Sequence, residues 1–165
     1  MRISFRPAGQ ADIPLIRSLA GAIWWRHYPD IISHEQIEYM LDMMYSEKNI
    51  TEQMQQRQNY TIIYCDDQPA GYYAVSERSD GHFFLNKFYV DTERHRRGIG
   101  SAAFDHLIKN DCAGYKEISL QVNRRNIKAI NFYFKKGFVI DRAFDFDIGG
   151  GYSMDDFVMV LSADQ

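Results

Sequence analysis

Seven stretches of the chain show the alternation of apolar and polar residues, or the short apolar run, that is typical of β-strands. The first begins with Ile3 and Phe5. The others cover residues 60–65, 70–77, 82–90, 117–122, 138–146 and 153–161. Short turns join the second, third and fourth stretches, whereas a parallel connection needs about a dozen residues or more. These three strands are therefore predicted to be antiparallel, and a final hairpin is predicted around residues 149–151.

Between these stretches, apolar residues recur at the spacing of amphipathic helices. Asp12 precedes the first such segment, and Pro14 suits its first turn. Ser33 and Gln36 form a helix-capping signature before the second segment. Further helices are predicted over residues 98–112 and 126–136, with a short one over 50–57. The pattern predicts an α/β (α+β) fold with a mixed, mostly antiparallel sheet of about seven strands and about four helices. It is expected to form a single domain over residues 1–165.

A glycine-containing loop lies between the strand that ends at Val90 and the helix that follows. The loop contains three arginines, and Gly98 and Gly100 come next. The first backbone N–H groups of a helix lack intrahelical partners, and the helix dipole favours anions there. Glycine lets a phosphate approach the backbone closely. The loop is therefore predicted to hold a phosphate or pyrophosphate, although residues 94–97 could also form a solvated basic patch or a nucleic-acid contact.

Residues 98–103 also fit the G-x-G-x-x-G/A fingerprint of dinucleotide-binding folds, and Glu117 lies near the expected distance of about 20 residues. Those folds place the motif in the first βα unit and need several more units after it. Here the motif begins at residue 98 of 165, so too little chain remains. The position argues against this alternative.

A second motif follows the glycine loop. Residues 126–138 read N-x-x-A-x-x-F-Y-x-x-x-G-F. With the glycine loop about 28 residues earlier, the chain resembles the GCN5-related N-acetyltransferase (GNAT) family over roughly residues 60 to 161. The family usually opens its loop with glutamine or arginine, and His95 stands there instead. The main contacts of that loop come from backbone N–H groups, so CoA binding is expected to survive.

The resemblance implies acetyl-CoA as the acetyl donor and assigns the residues that contact it. The strand end at Phe88, Tyr89 and Val90 would pair with the pantetheine amides. The predicted contacts of the rest of the cofactor are His95, Arg96, Arg97, Gly98, Gly100, Ser101, Asn126, Asn131 and Tyr133. Asn126 could equally serve as a helix N-cap, and Asn131 could be a polar surface residue.

Catalytic residues follow from the same resemblance. Tyr133 matches the tyrosine that protonates the departing thiolate, although it could be a core aromatic residue. Many family members have a basic carboxylate on the strand before the loop, but residues 82–90 contain none. Glu77 and His82 are the candidates for the general base, and each could instead be a surface residue near a turn.

The acceptor is predicted from charge and aromatic content. From residue 139 onward, the sequence contains six aspartates and a single arginine. In the family this region and the loop after the first helix contribute to the acceptor site, which here would include Trp25, His27 and Tyr28. Carboxylates with aromatic walls suit a polycation, although the acidic hairpin could simply face solvent. Residues 85–90 and 155–159 resemble the polyamine-acetylating, PaiA-like branch, so a small polyamine is the expected acceptor. A peptide or protein amine, and a non-catalytic acetyl-CoA sensor, are the alternatives.

The remaining features set the expected context. The net charge of −3 argues against nucleic acid as a partner. Cys65 and Cys112 form no metal or redox motif, which favours a reducing cytoplasm and no metal cofactor. Neither a signal peptide nor an apolar run of about 20 residues is visible, so no membrane association is expected. A homodimer is compatible with the family.

Overall fold

A computed structural model describes residues 1–92 and 98–164 of the chain. The predicted cofactor contacts His95, Arg96 and Arg97 lie outside the described residues.

Strands and helices follow one another in a mixed α+β order. The strands are β1 (Ile3–Pro7), β2 (Asn59–Cys65), β3 (Gln68–Ser79), β4 (His82–Val90), β5 (Glu117–Asn123), β6 (Val139–Gly149) and β7 (Tyr152–Ser162). The helices are α1 (Ile13–His27), α2 (His34–Tyr45), α3 (Glu47–Gln55), α4 (Ile99–His106) and α5 (Ile127–Lys135). The strand order in the sheet is β1-β2-β3-β4-β5-β7-β6. The β4–β5 pair is parallel, whereas β1–β2, β2–β3, β5–β7 and β6–β7 are antiparallel. The predicted mixed, mostly antiparallel sheet of seven strands is confirmed.

Two helices differ from the sequence prediction. The helix predicted over residues 50–57 starts earlier, at Glu47, because the Ser46 hydroxyl caps it by accepting a hydrogen bond from the Asn49 N–H at 3.1 Å. The helix predicted over residues 98–112 is α-helical only as far as His106, and a π-helical stretch, Leu107–Asp111, follows it.

The chain divides into two compact units, and the first comprises Met1–Ser76 and Asn86–Ala113. Its core contains Ile16, Trp24, Ile37, Ile62, Tyr72, Ile99 and Leu107, all almost fully buried. At the end of β4, the Asp91 N–H donates to the Ala70 carbonyl oxygen at 2.8 Å. A Cβ on Gly71 would lie only 2.3 Å from the Tyr89 carbonyl oxygen. Glycine at position 71 therefore permits the close approach of β3 to the end of β4.

The second unit comprises Glu77–Leu85 and Gly114–Gln165. In it the first residues of β4 pair with β5, from His82–Glu117 to Leu85–Leu120. Strand β5 also pairs with β7, from Glu117–Ser162 to Asn123–Asp156, and β6 forms a hairpin with β7. The core of this unit contains Ile118, Leu120, Ile130, Phe138 and Met159.

Candidate active site

The start of α4 has the geometry expected of an anion-binding helix terminus. Gly98 is the N-cap, with a φ of 96° in the left-handed region, where glycine is unstrained. Its carbonyl oxygen accepts the first helical hydrogen bond, from the Ala102 N–H at 2.9 Å. No acidic residue lies in the first turn to compete with an anion. The first-turn amides, including those of Gly100 and Ser101, are therefore suited to a phosphate.

Tyr89, near the end of β4, contacts one of the predicted acceptor residues. The hydroxyls of Tyr28 and Tyr89 lie 3.0 Å apart, and both rings contact the buried Trp24. Phe88 takes part in a different cluster, because its ring packs against Tyr73 and Phe104. Val90 is partly buried. The first unit thus joins a predicted substrate residue to a predicted cofactor residue by direct contact.

The other acceptor residues, Trp25 and His27, were predicted in the loop after the first helix, but they lie within the last turn of α1, which continues to His27. The His27 ring meets the edge of Tyr28, with centroids 4.9 Å apart. Trp25 is 38% exposed, and its ring meets the edge of His34 rather than packing against Tyr28. Between them, Arg26 forms an ion pair with the buried Asp91 at 2.6 Å. Sequence reasoning missed this pair, which fixes the end of α1 to the residue that follows β4.

Phenol groups behind Tyr89 form a buried polar network that the sequence also did not reveal. The hydroxyls of Tyr45 and Tyr72 lie 2.6 Å apart. The Tyr72 ring packs against Tyr89, with centroids 5.6 Å apart. Burial raises the pKa of both Tyr45 and Tyr72 above the ordinary range. Both phenols therefore stay protonated and act as neutral hydrogen-bonding groups.

Lys87 has an unusual environment for an amine. It is 4% exposed, and its ammonium donates to the side-chain oxygens of Gln53 at 2.7 Å and Gln58 at 3.2 Å. The rings of Tyr45 and Tyr60 lie 5.5 and 5.0 Å from the Lys87 Nζ atom. Because burial penalises the charged form, the pKa of Lys87 falls to about 7. The apolar–polar pattern of the sequence places Lys87 in β4 but does not predict that its pKa is lowered.

In the second unit, Asn126 and Tyr133 occupy well-defined places in α5. The Asn126 side chain caps the helix by accepting a hydrogen bond from the Ala129 N–H at 3.3 Å. Tyr133 is largely buried, and its ring lies edge-on to Phe132 and Phe138. Asn131 is exposed. The cap and the core packing are the structural roles that the sequence allowed for Asn126 and Tyr133, and their cofactor and acid roles stay predictions.

Glu77 and His82, the candidates for the general base, flank the β3–β4 turn and are exposed. A side-chain oxygen of Glu77 accepts a hydrogen bond from the Gly81 N–H at 3.1 Å. The His82 Nδ1 lies 3.0 Å from the Asp80 carbonyl oxygen. Both side chains therefore have local roles in the turn.

Asp156, on β7, is the buried carboxylate of this unit. It is 1% exposed, and neither oxygen has a hydrogen-bond partner among the residues that the structure describes. Burial, with the neighbouring Asp155 and Asp145 charges, raises its pKa to about 6, against the opposing charge of Arg124. The sequence placed Asp156 in the acidic segment but gave no signal that distinguished it from its exposed neighbours.

Comparison with known proteins identifies the family. A sequence model of the acetyltransferase (GNAT) family matches residues 21–138. A search of curated protein sequences finds no significant match. Because this match covers more than half of the chain, the chain belongs to the GNAT family. It is an acetyltransferase, and acetyl-CoA is its acetyl donor.

Solved structures agree with this fold over almost the whole chain. The PaiA N-acetyltransferase of Thermoplasma acidophilum, solved with coenzyme A, has a TM-score of 0.77 at 23% identity, covering 98% of this chain and 99% of that one. A GCN5-related N-acetyltransferase of Rhodopseudomonas palustris has a TM-score of 0.80 at 19% identity, with 98% and 96% covered. The ribosomal-protein-S18-alanine N-acetyltransferase of Escherichia coli has a TM-score of 0.70 at 19% identity, with 98% and 94% covered.

The described residues contain neither a cluster of metal-ligating side chains nor a helix that could span a membrane. Across residues 1–92 and 98–164, no three His, Cys, Asp or Glu side chains converge as metal ligands. Within the same part of the chain, every helix is too short or too polar to cross a membrane.

Proposed function

We propose that this acetyltransferase acts on a primary amine by direct transfer, and that the amine belongs to a small polyamine such as spermidine or spermine. The observation that carries the polyamine is a pair of carboxylates on the β6–β7 hairpin, where Asp145 lies directly opposite Asp155. Like charges in this arrangement destabilise a sheet. Arg124 compensates Asp145 at 2.6 Å, and Asp155 accepts a hydrogen bond from the Ser153 hydroxyl. A polycation would supply the missing positive charge.

Aromatic side chains on the same hairpin support a cationic acceptor. The Phe144 and Phe146 rings lie 5.0 Å apart on β6, on either side of Asp145 in sequence. An aromatic face attracts an alkylammonium group and also covers its methylene chain. We include Tyr28, His27 and Trp25 in the proposed acceptor site as the sequence predicted them, with Tyr28 supported by its contact with Tyr89.

The proposed donor contacts combine described and undescribed residues. The amides at the start of α4 would hold the pyrophosphate, together with residues 95–97. The strand end at Phe88, Tyr89 and Val90 would pair with the pantetheine arm, while Asn126, Asn131 and Tyr133 would complete the cofactor contacts. The geometry of Gly98 supports the first of these assignments.

The proposed reaction needs no covalent enzyme intermediate. The neutral amine attacks the thioester carbonyl carbon, whose oxygen is polarised by a backbone N–H near Tyr89. The C–S bond then breaks, and Tyr133 donates a proton to the thiolate. A phenol with a pKa near 10 can protonate a thiolate whose conjugate acid has a pKa near 8.5 when the two are in contact. We also propose a cytoplasmic location, since Cys65 and Cys112 are buried free thiols.

Thiol release from acetyl-CoA tests the acceptor. Spermidine and spermine should give release at lower concentrations than a lysine peptide or an aminoglycoside. Because both cysteines of the protein are buried, a thiol-reactive reagent will detect mainly the thiol of CoA. Thiol release with another amine, but not with the polyamines, would agree with acetyltransferase activity and refute the proposed polyamine acceptor. Equal rates with every amine would refute the proposed selectivity.

A charge variant tests the hairpin itself. Asp145→Asn combined with Asp155→Asn should raise the KM for spermidine about fivefold, since two exposed charge contacts contribute about 0.5 kcal/mol each. The KM for acetyl-CoA should stay unchanged. Asp42→Asn, an exposed carboxylate on α2, is the matched control. An unchanged KM for spermidine in the double variant would exclude these carboxylates from the acceptor site.

A further inference from the structure

Asp156 stands apart from every other carboxylate of the acidic segment because it is buried without a described partner. Its exposed fraction is 1%, and no described residue donates a hydrogen bond to Oδ1 or Oδ2. Burying a carboxylate without donors is costly, and native structures rarely keep such a group without a reason. A donor brought by a ligand would account for it.

Among the described residues, no cation makes a hydrogen bond to Asp156. Arg124 is the nearby cation, and it is bound to Asp145 at 2.6 Å. Asp155 and Asp145 repel a negative charge on Asp156. Within residues 1–92 and 98–164, these three groups, from β7, β6 and the residue after β5, are the charges that shift its pKa. Together with burial, they make Asp156 a stronger base than an ordinary aspartate while leaving it mostly ionised at neutral pH.

The location of Asp156 in the sheet favours a ligand-binding role. It pairs in register with Asn123, the last residue of β5, and with Phe144 on β6. A turn joins Asn123 to the start of α5. In it, the Arg124 N–H donates to the Asp155 carbonyl oxygen, and the Asn126 N–H donates to the Asn123 carbonyl oxygen. Strand β5 is parallel to β4, and sheets with parallel strands bind ligands at the carboxyl ends of those strands. Asp156 therefore lies beside the carboxyl end of β5.

We infer that Asp156 is the proton acceptor for the acceptor amine, a role that the sequence left to Glu77 or His82. This inference rests on the proposed function. The substrate enters as R–NH3⁺, and one N–H bond breaks as its proton moves to the Asp156 carboxylate. The nitrogen lone pair then forms the C–N bond while the C–S bond breaks. The second proton leaves the nitrogen to solvent, and a proton from solvent restores the Tyr133 phenol after it has protonated the thiolate. Asp156 finally releases its proton to water.

A pH profile of the variant Asp156→Asn tests this role. At pH 7 its kcat/KM for the best amine acceptor should fall about a hundredfold, within the usual contribution of a general base. The loss should shrink to about tenfold or less near pH 9.5, because the amine then supplies its own free base. Acetyl-CoA affinity should be unchanged. The wild-type profile should contain an ionisation near pH 6 that the variant lacks.

Two controls separate a structural role from the proposed one. Asp156→Glu keeps the carboxylate and should keep the pH 6 ionisation at reduced rate, whereas Asp42→Asn should match the wild type. A melting temperature close to the wild-type value would show that Asp156→Asn is folded. A rate within twofold of wild type, or a loss that is the same at pH 7 and pH 9.5, would overturn the inference.

Failure of the inference and of the proposed function give different results. If the polyamine assignment is wrong, the wild type will acetylate another amine, and the Asp156 comparison is made with that amine. If the inference is wrong, Asp156→Asn will keep a rate within twofold of the wild type, or will lose the same amount at pH 7 and pH 9.5, with whichever amine is used. A wild type that acetylates no amine would overturn both.

Discussion

Replacing Lys87 with methionine should stabilise the protein at and below neutral pH. The pKa of Lys87 is lowered by burial from 10.5 to about 7. Since a tenfold change in proton affinity is worth ~1.4 kcal/mol, this difference corresponds to a cost of roughly 5 kcal/mol for holding the charged form in the folded state. Residual compactness of the unfolded chain makes the cost smaller than this value.

The pH dependence follows from the direction of the shift. Between about pH 7 and pH 10.5 the unfolded chain keeps the proton on Lys87 while the folded chain has lost it. Stability therefore rises with pH through this window, as linkage requires when the unfolded state binds more protons. Below about pH 7 both states are protonated, and the full cost of burial applies. Lys87→Met removes that cost, so its advantage should be greatest at pH 6 and should fade towards pH 10.

Methionine should fit at position 87 without leaving a buried polar group that lacks a hydrogen bond. It has a similar unbranched shape and no charge. The side-chain oxygen of Gln53 would still accept a hydrogen bond from the Tyr60 hydroxyl at 2.6 Å. Gln58 is partly exposed and can bond to water. The net gain at pH 6 should therefore be about 1–3 kcal/mol after the lost hydrogen bonds are counted.

Urea unfolding followed by tryptophan fluorescence measures this effect, since Trp24 is buried in the same unit. Wild type and Lys87→Met are compared at pH 6, 8 and 9.5. Lys48→Met, an exposed lysine on α3, is the control and should show no pH-dependent difference. The reasoning would be refuted if Lys87→Met is less stable than the wild type at pH 6 and if the difference in their free energies of unfolding does not change at higher pH.

Two further predictions concern the cofactor side. Tyr133→Phe keeps the ring between Phe132 and Phe138, so it should lower kcat about a hundredfold while the acetyl-CoA Kd, measured by titration calorimetry, stays the same; an unchanged kcat would remove Tyr133 from the mechanism. Gly71→Ala places a Cβ 2.3 Å from the Tyr89 carbonyl oxygen, so it should destabilise the protein by about 1–3 kcal/mol in urea unfolding and raise the KM for acetyl-CoA. Gly21→Ala, in α1 with open space around its Cβ, should be neutral or stabilising, and equal behaviour of the two alanine variants would contradict the steric argument.

Features encoded by neighbouring residues were predictable from the sequence. The strand and helix periodicities gave nearly every element, and Gly98 and Asn126 stand at helix starts as their residue types suggest. The start of α3 differs from the prediction because its cap, Ser46, precedes the apolar residue Ile50 from which the helix was predicted. Local chemistry therefore accounts for most of the fold.

Contacts between distant residues could not be read from the sequence. Arg26 and Asp91 are 65 positions apart, and Tyr28 and Tyr89 are 61 apart. Neither pair leaves a periodic signal, because each forms only when α1 packs beside the end of β4. Likewise, the burial that shifts the pKa of Lys87 and of Asp156 is a property of the packed chain. The sequence marked the acidic segment, but the fold singles out Asp156.

The most direct test of the account is the product formed when the full chain is incubated with acetyl-CoA and spermidine. Mass spectrometry should detect acetylated spermidine in amounts equal to the CoA released, and both should disappear when either substrate is omitted. Acetyl-CoA that stays intact, or is hydrolysed while spermidine and the other amines remain unmodified, would contradict the assignment of an amine acetyltransferase.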